Sequence, residues 1–252
     1  MAEPTKSITV IGATGLIGRQ LVPLLRDAGH NVTAASRDSG VDLLTGQGLD
    51  DTLADAEVVV DVINSATPED SAEAFFQKTA ANLSAAAAKA GVRHYVVLSI
   101  VGADEMAPKA GYIRGKVAQE GAAATSGVPW TVLRATQFHE LAEPITESLI
   151  AGDEVHAPAA LIQPIDSSEV TAILARVAVN EPLYTIHNVG GPQKMSFSDM
   201  ARAVLRHQSR TLNVLDDPSA TYSGLNIDYT TLVTDDEAEL GTTRLVDWLA
   251  RR

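Results

Sequence analysis

Three glycines spaced by three, Gly12, Gly15 and Gly18, lie where an apolar run ends and a helical pattern begins, and no other feature limits the fold so strongly. Residues 8–11 form the apolar run, and residues 16–25 carry apolar side chains at helical spacing. A short second strand over residues 32–35 follows Gly29 and stops at Ser36 and Arg37. Strand, tight turn, helix and strand make the opening βαβ unit of a dinucleotide-binding fold. Glycine is needed here because a pyrophosphate must approach the N–H groups of the first helical turn, and a Cβ would block it. The spacing G-x-x-G-x-x-G places Thr14 where its hydroxyl is expected to cap the helix.

The end of the second strand selects the dinucleotide. An acidic residue there would bond the ribose 2′-hydroxyl of NAD, whereas Ser36 and Arg37 offer a hydroxyl and a guanidinium suited to a 2′-phosphate. The expected cofactor is NADP(H). A formal net charge of −13 argues against nucleic acid or an anionic membrane as the main partner, yet it leaves room for an anion held locally by backbone N–H groups. The chain has no cysteine, so disulfides, thiolate metal sites and cysteine nucleophiles are excluded. Its six histidines show no ligand spacing and no metal is expected. The polar opening residues and the absence of any membrane-length apolar run lead us to expect a soluble, cytoplasmic protein of undetermined oligomeric state.

Strand and helix alternate onward. Residues 41–44 suggest a minor strand and 49–54 a brief helix; 58–62 is a β-branched run suited to a strand covered on both faces. It ends in Asn64, Ser65 and Ala66, a switch to small polar residues at the end of a strand where ligands sit in such folds. A long helix is expected over 68–90, a strand over 95–98 running into Ser99, a loop over 103–111, a helix over 112–125 and a strand over 130–133. Later elements are an interrupted helix over 137–150, extended chain over 155–163, a helix over 167–179 capped by Asp166 or Ser167, a strand over 184–189, and helices over 196–207 and 242–251. The pattern is α/β: a Rossmann-type, doubly wound parallel sheet in a single domain of 252 residues, with a small C-terminal substrate-binding portion mainly in 137–252.

Tyr112 and Lys116 are four apart on a predicted helix and share one face. Beside a nicotinamide, Tyr112 would give its phenolic proton to a carbonyl oxygen, while Lys116 would lower the phenol pKa and bond the nicotinamide ribose. Ser99 would orient that carbonyl. No G-x-S-x-G elbow or H-E-x-x-H is present to support hydrolysis or zinc chemistry.

The stretches GATGLIG at 12–18, SR at 36–37, LSIVG at 98–102, YIRGK at 112–116 and LRATQFHE at 133–140 together resemble the atypical short-chain dehydrogenases/reductases of the NmrA-like NAD(P)H-binding subgroup. The resemblance implies a Rossmann fold with Gly12, Thr14, Gly15, Leu16, Ile17 and Gly18 at the pyrophosphate and Ser36 and Arg37 at the 2′-phosphate. It places Asn64, Ser65 and Ala66 along the adenosine side, and Ala135, Thr136, Gln137 and Phe138 by the nicotinamide. His139, just past that motif, and Tyr222 in the tail are expected to face substrate. The expected activity is an NADPH-dependent reduction of a small carbonyl, quinone or related conjugated molecule. The alternative is a non-catalytic NADP(H) sensor that binds a protein partner, as in relatives lacking the tyrosine. An epimerase or dehydratase fits less well, since such relatives are generally longer.

Overall fold

A computed structural model of the chain describes residues 4–65 and 70–252. In chain order the elements are β1 (Ser7–Ile11), α1 (Gly18–Asp27), β2 (Asn31–Ala35), α2 (Leu49–Leu53), β3 (Val58–Asp61), α3 (Asp70–Ala90), β4 (His94–Ile100), α4 (Ala103–Met106), α5 (Gly111–Thr125) and β5 (Trp130–Ala135). There follow α6 (Ala142–Ser148), β6 (Ile150–Ala151), β7 (Glu154–Pro158), β8 (Leu161–Ile162), α7 (Ser167–Val179), β9 (Ile186–Gly190), β10 (Met195–Ser196), α8 (Phe197–His207), β11 (Asn213–Asp217), β12 (Glu239–Leu240) and α9 (Leu245–Leu249).

Seven strands form a sheet in the order β12-β9-β5-β4-β3-β1-β2. β1 pairs in parallel with β2 on one side and β3 on the other, in register Val10 to Ala34 and Val10 to Val60. The chain therefore reverses its direction of travel across the sheet at β1, and the ends of β1 and β3 flank the switch point where ligands bind in open α/β sheets. Every residue of β3 is buried, as its unbroken valines require.

The chain divides into two compact units, a first drawn from Met1–Ser99, Ala110–Leu133 and Thr171–His187, and a second from Ile100–Lys109, Arg134–Val170 and Asn188–Arg252. In the first, a core including Ile11, Leu53, Val59, Phe76, Leu83, Tyr95 and Val132 fills the space between sheet and helices, with α3 packed along α5. In the second, β11, β7 and β6 form a small sheet under α8, and β10 pairs antiparallel with β8. Arg134, nearly buried, forks onto the Asp104 carboxylate and pins the turn that carries α4.

Several elements differ from expectation. Residues 41–44 are a turn: Asp42 bridges to Gln47, and its carboxylate accepts from Leu44 N at 2.8 Å. The 103–111 loop contains α4 and a further helical turn, Ala107–Lys109. The helix expected from 137 begins at Ala142, after a 3-10 turn over His139–Leu141, and Pro144 sits in its first turn where a missing N–H is harmless. β9 starts at Ile186 because Tyr184 has φ +53°, outside the extended region. Of the two residues considered for capping α7, Asp166 takes the role, its carboxylate accepting from Ser168 N at 2.9 Å.

Candidate functional site

The glycine turn is built by contacts that leave no room for side chains at two of its three glycines. Gly12 has φ +88°, and a Cβ there would lie 3.1 Å from the backbone of Val62 and Ile63, at the end of β3. A Cβ at Gly18 would collide with the Gly12 carbonyl and Ala13. Gly15 differs: it is exposed, and its Cβ would meet only the Gly12 carbonyl, at 3.4 Å. Packing within the chain does not demand glycine at 15. The N–H groups of Leu16, Ile17 and Gly18 have no acceptor among the described residues, so donors at the head of α1 are left for an anion to meet. Thr14 is exposed and does not cap the helix; Ile17 stands at the N-cap without a side-chain bond. The turn keeps Thr14 a full turn ahead of the first helical residue, too early for its hydroxyl to serve.

Ser36 and Arg37 follow β2 on a short helical turn, Arg37–Ser39, where Ser39 Oγ accepts from Ser36 N at 2.9 Å. The Arg37 side chain is exposed. Asn64 and Ser65 follow β3, and Asn64 Oδ1 accepts from Ser65 N at 2.9 Å. Ala66 lies outside the described residues.

Asn64 also accepts the Tyr112 phenolic proton, at 2.8 Å. Tyr112 stands at the start of α5, its ring edge-on to Phe76 of α3 with centroids 5.5 Å apart. One turn on, Lys116 is buried, with 4% of its surface exposed. Its Nζ donates to the Leu98 carbonyl near the end of β4 at 2.7 Å and to Gln119 Oε1, and lies 5.1 Å from the Phe76 ring centre. Gln119 Nε2 donates to Asp61 Oδ2 at 2.7 Å, and Asp61, fully buried, also accepts from Ile63 N at 3.1 Å and Tyr95 Oη at 3.3 Å. Burial pulls the Lys116 amine down to about 8, opposed by the negative charges of Asp61 and Glu120. Burial likewise pushes the Asp61 carboxyl up, opposed by the Gln119 amide and the Lys116 charge. Next to Leu98, the Ser99 hydroxyl is buried with no partner among the described residues. The first unit thus brings together Asn64, Tyr112, Lys116 and the Leu98–Ser99 strand end.

Sequence reasoning missed Asp61, Gln119 and Phe76. A signal existed for two of them: Asp61 is a carboxylate closing a run of valines, and Gln119 lies three residues after Lys116 on the same helical face.

Ala135, Thr136 and Gln137 belong to the second unit and are buried at and just beyond the end of β5, with Phe138 half-buried. Tyr222 is half-buried against Phe197, ring centres 5.8 Å apart, and burial pushes its phenol up to about 12 against the opposing hydrogen bond to Gln137. His139 is completely buried rather than presented to a ligand: its ring packs on Trp248 and its Nε2 meets the Pro164 carbonyl at 3.0 Å. Burial holds its pKa below the ordinary value, against the opposing Pro164 carbonyl and the nearby carboxylates. No group of histidines and carboxylates able to hold a metal occurs among the described residues. Nor is any described helix long and apolar enough to cross a membrane.

A family model described as NAD(P)H-binding matches residues 12–178, more than half of the chain. The chain belongs to this NAD(P)H-binding family. The match agrees with the family read from the motifs. This NAD(P)H-binding protein is 34% identical over 143 residues to a (4-alkanoyl-5-oxo-2,5-dihydrofuran-3-yl)methyl phosphate reductase of Streptomyces griseus subsp. griseus, covering 52% of this chain and 48% of the relative. The chain spans about half the length of that curated relative. Among solved structures, an NADPH-dependent quinone oxidoreductase of Escherichia coli superposes with a TM-score of 0.66 at 16% identity, over 97% of this chain and 98% of the other. The Citrobacter sp. triphenylmethane reductase complexed with NADP(H) gives 0.61 at 20% identity, over 83% and 79%. A Bordetella bronchiseptica enzyme in complex with NAD+ gives 0.75 at 14% identity, over 98% and 97%. These likenesses establish the Rossmann fold.

Proposed function

We propose that the protein is an NADPH-dependent oxidoreductase that passes hydride to a small carbonyl, quinone or related conjugated substrate. The observation that carries this reading is the group formed by Tyr112, Asn64, Lys116 and Ser99, in the same unit as a glycine turn whose unpaired N–H groups suit a pyrophosphate. The alkanoyl- and oxo-bearing substrate of the Streptomyces griseus relative is a carbonyl compound of the class proposed.

When bound, the reduced dinucleotide supplies the hydride. The chain's own groups do the rest. The turn at 12–18 receives the diphosphate, and Arg37 receives the 2′-phosphate. Lys116, with two N–H bonds committed to Leu98 and Gln119, keeps a third for a ribose hydroxyl. Ser99, an unpartnered buried hydroxyl, orients the substrate oxygen. Tyr112 holds a proton on Asn64 Oδ1 and can turn it, by rotation about its C–O bond, to an oxygen gaining charge. Substrate recognition falls to residues 137–252, where Tyr222 and Gln137 present paired polar groups beside Phe197.

The deciding experiment incubates the protein with NADPH and a panel of quinones, aldehydes, ketones and unsaturated lactones while following nicotinamide absorbance. Sustained consumption with at least one of them is expected; tight NADPH binding with no consumption by any would leave a sensor. Cofactor choice has its own test. Arg37→Ala is expected to weaken NADPH at least about tenfold while leaving NADH nearly unchanged, since only the phosphate-bearing dinucleotide loses a charge-assisted partner. Equal losses for both, by fluorescence titration, would refute the NADP preference.

A further inference from the structure

Lys116 on α5 and Asp61 at the end of β3 are both buried within the first unit, yet they form no direct ion pair. The Gln119 amide lies between them. Its Oε1 accepts from Lys116 Nζ, and its Nε2 donates to Asp61 Oδ2 at 2.7 Å. Each of the three contacts made to Asp61, from Gln119, Tyr95 and Ile63 N, brings a donor, so the pocket around it is arranged for a carboxylate. With an ammonium at one end and a carboxylate at the other, the amide has one workable orientation. Turned by half a revolution, it would set NH2 against the amine and oxygen against the acid.

We propose that Gln119 is a positioning residue and Asp61 a remote counter-charge for Lys116, together holding the amine under the Leu98 carbonyl as a cation with one N–H left for a ligand oxygen. A carboxylate in direct contact would draw the amine off Leu98 and consume that N–H. One amide away, it supports the charge and takes no donor from it. The charges acting on the amine are those of Asp61 from β3 and Glu120 from its own helix, and the Tyr112 phenol stands one turn before it on α5. Tyr95 of β4 reaches it only through Asp61, and α3 presents the Phe76 ring.

The role given to that free N–H rests on the cofactor reading above, whereas the charge state of the amine is a property of the protein alone, and the test separates the two. Full-length protein labelled with ¹³C-lysine is titrated, following the Lys116 Cε resonance, assigned among six lysines by its loss in Lys116→Met. In Asp61→Asn and Gln119→Met the midpoint is expected to fall by about one pH unit or more, because a supporting charge is removed or uncoupled. In Gln119→Glu, which keeps the volume and brings a carboxylate into contact, it is expected to rise. Should Asp61→Asn not fold, the opposite shifts of the two Gln119 variants decide. Unchanged midpoints in the folded variants would overturn the proposal. NADPH affinity measured at pH 7 and pH 9 in the same proteins isolates the cofactor reading: shifted midpoints without matching changes in affinity would uphold Gln119 and Asp61 in their roles and remove Lys116 from the cofactor.

Discussion

Replacing Tyr112 by phenylalanine is expected to lower kcat/KM for a carbonyl substrate by about 10²- to 10⁴-fold, the range for loss of a positioned general acid, while the Kd for NADPH changes little. The substitution removes one oxygen and keeps the ring, whose edge contact with Phe76 needs no hydroxyl. Asn64 loses one of its two donors but retains Ser65 N. The stability cost is that of one exposed hydrogen bond, about 1 kcal/mol. Steady-state kinetics and NADPH titration of the same preparation check both halves of the expectation. Unchanged turnover with ketones and aldehydes would remove Tyr112 from the chemistry. A loss confined to carbonyl substrates, with quinone reduction intact, would show that water protonates the latter.

The second large effect is in stability. Burial pulls the Lys116 amine down to about 8 in the folded chain against an ordinary 10.5, so between those values the unfolded chain is expected to bind more protons than the folded one. The unfolding free energy therefore rises with pH across this window, and below pH 8 the full cost of burying the charge is present. The difference corresponds to about 3 kcal/mol. Lys116→Met should lack this rise, since nothing at 116 then titrates. Urea unfolding at pH 7, 8, 9 and 10.5 gives the contribution as the divergence between the two curves; parallel curves would mean that Lys116 does not titrate in the interior.

The parts of this fold that the sequence discloses are those in which neighbours along the chain decide the structure. The valines of β3, the periodic α1 and the glycines at 12, 15 and 18 are each legible within a dozen residues. The same holds for Tyr112 and Lys116, because a helix turns a spacing of four into adjacency. What escaped is long-range. Gln119 and Asp61 are 58 residues apart, and no local pattern pairs them. The strands β6, β8, β10 and β12 have two residues each, too few for an alternation to register, and exist because a partner strand passes nearby. Thr14 misled because capping preference is a statement about helix starts, and the helix starts three residues later than its position suggested. The surroundings of His139 are long-range in the same way: its motif places it just past β5, and Trp248, more than a hundred residues on, packs against its ring.

Gly115 stands between Tyr112 and Lys116 on α5, and a Cβ there would come within 2.6 Å of Phe76. The Phe76 ring in turn contacts the tyrosine on one side and the lysine amine on the other. The lack of a side chain at 115 is thus what lets the Phe76 ring lie against both Tyr112 and Lys116. A methyl at 115 would press on the Phe76 ring and also on the Ala72 carbonyl at 3.1 Å, so a smaller residue at 76 would not by itself make room for it.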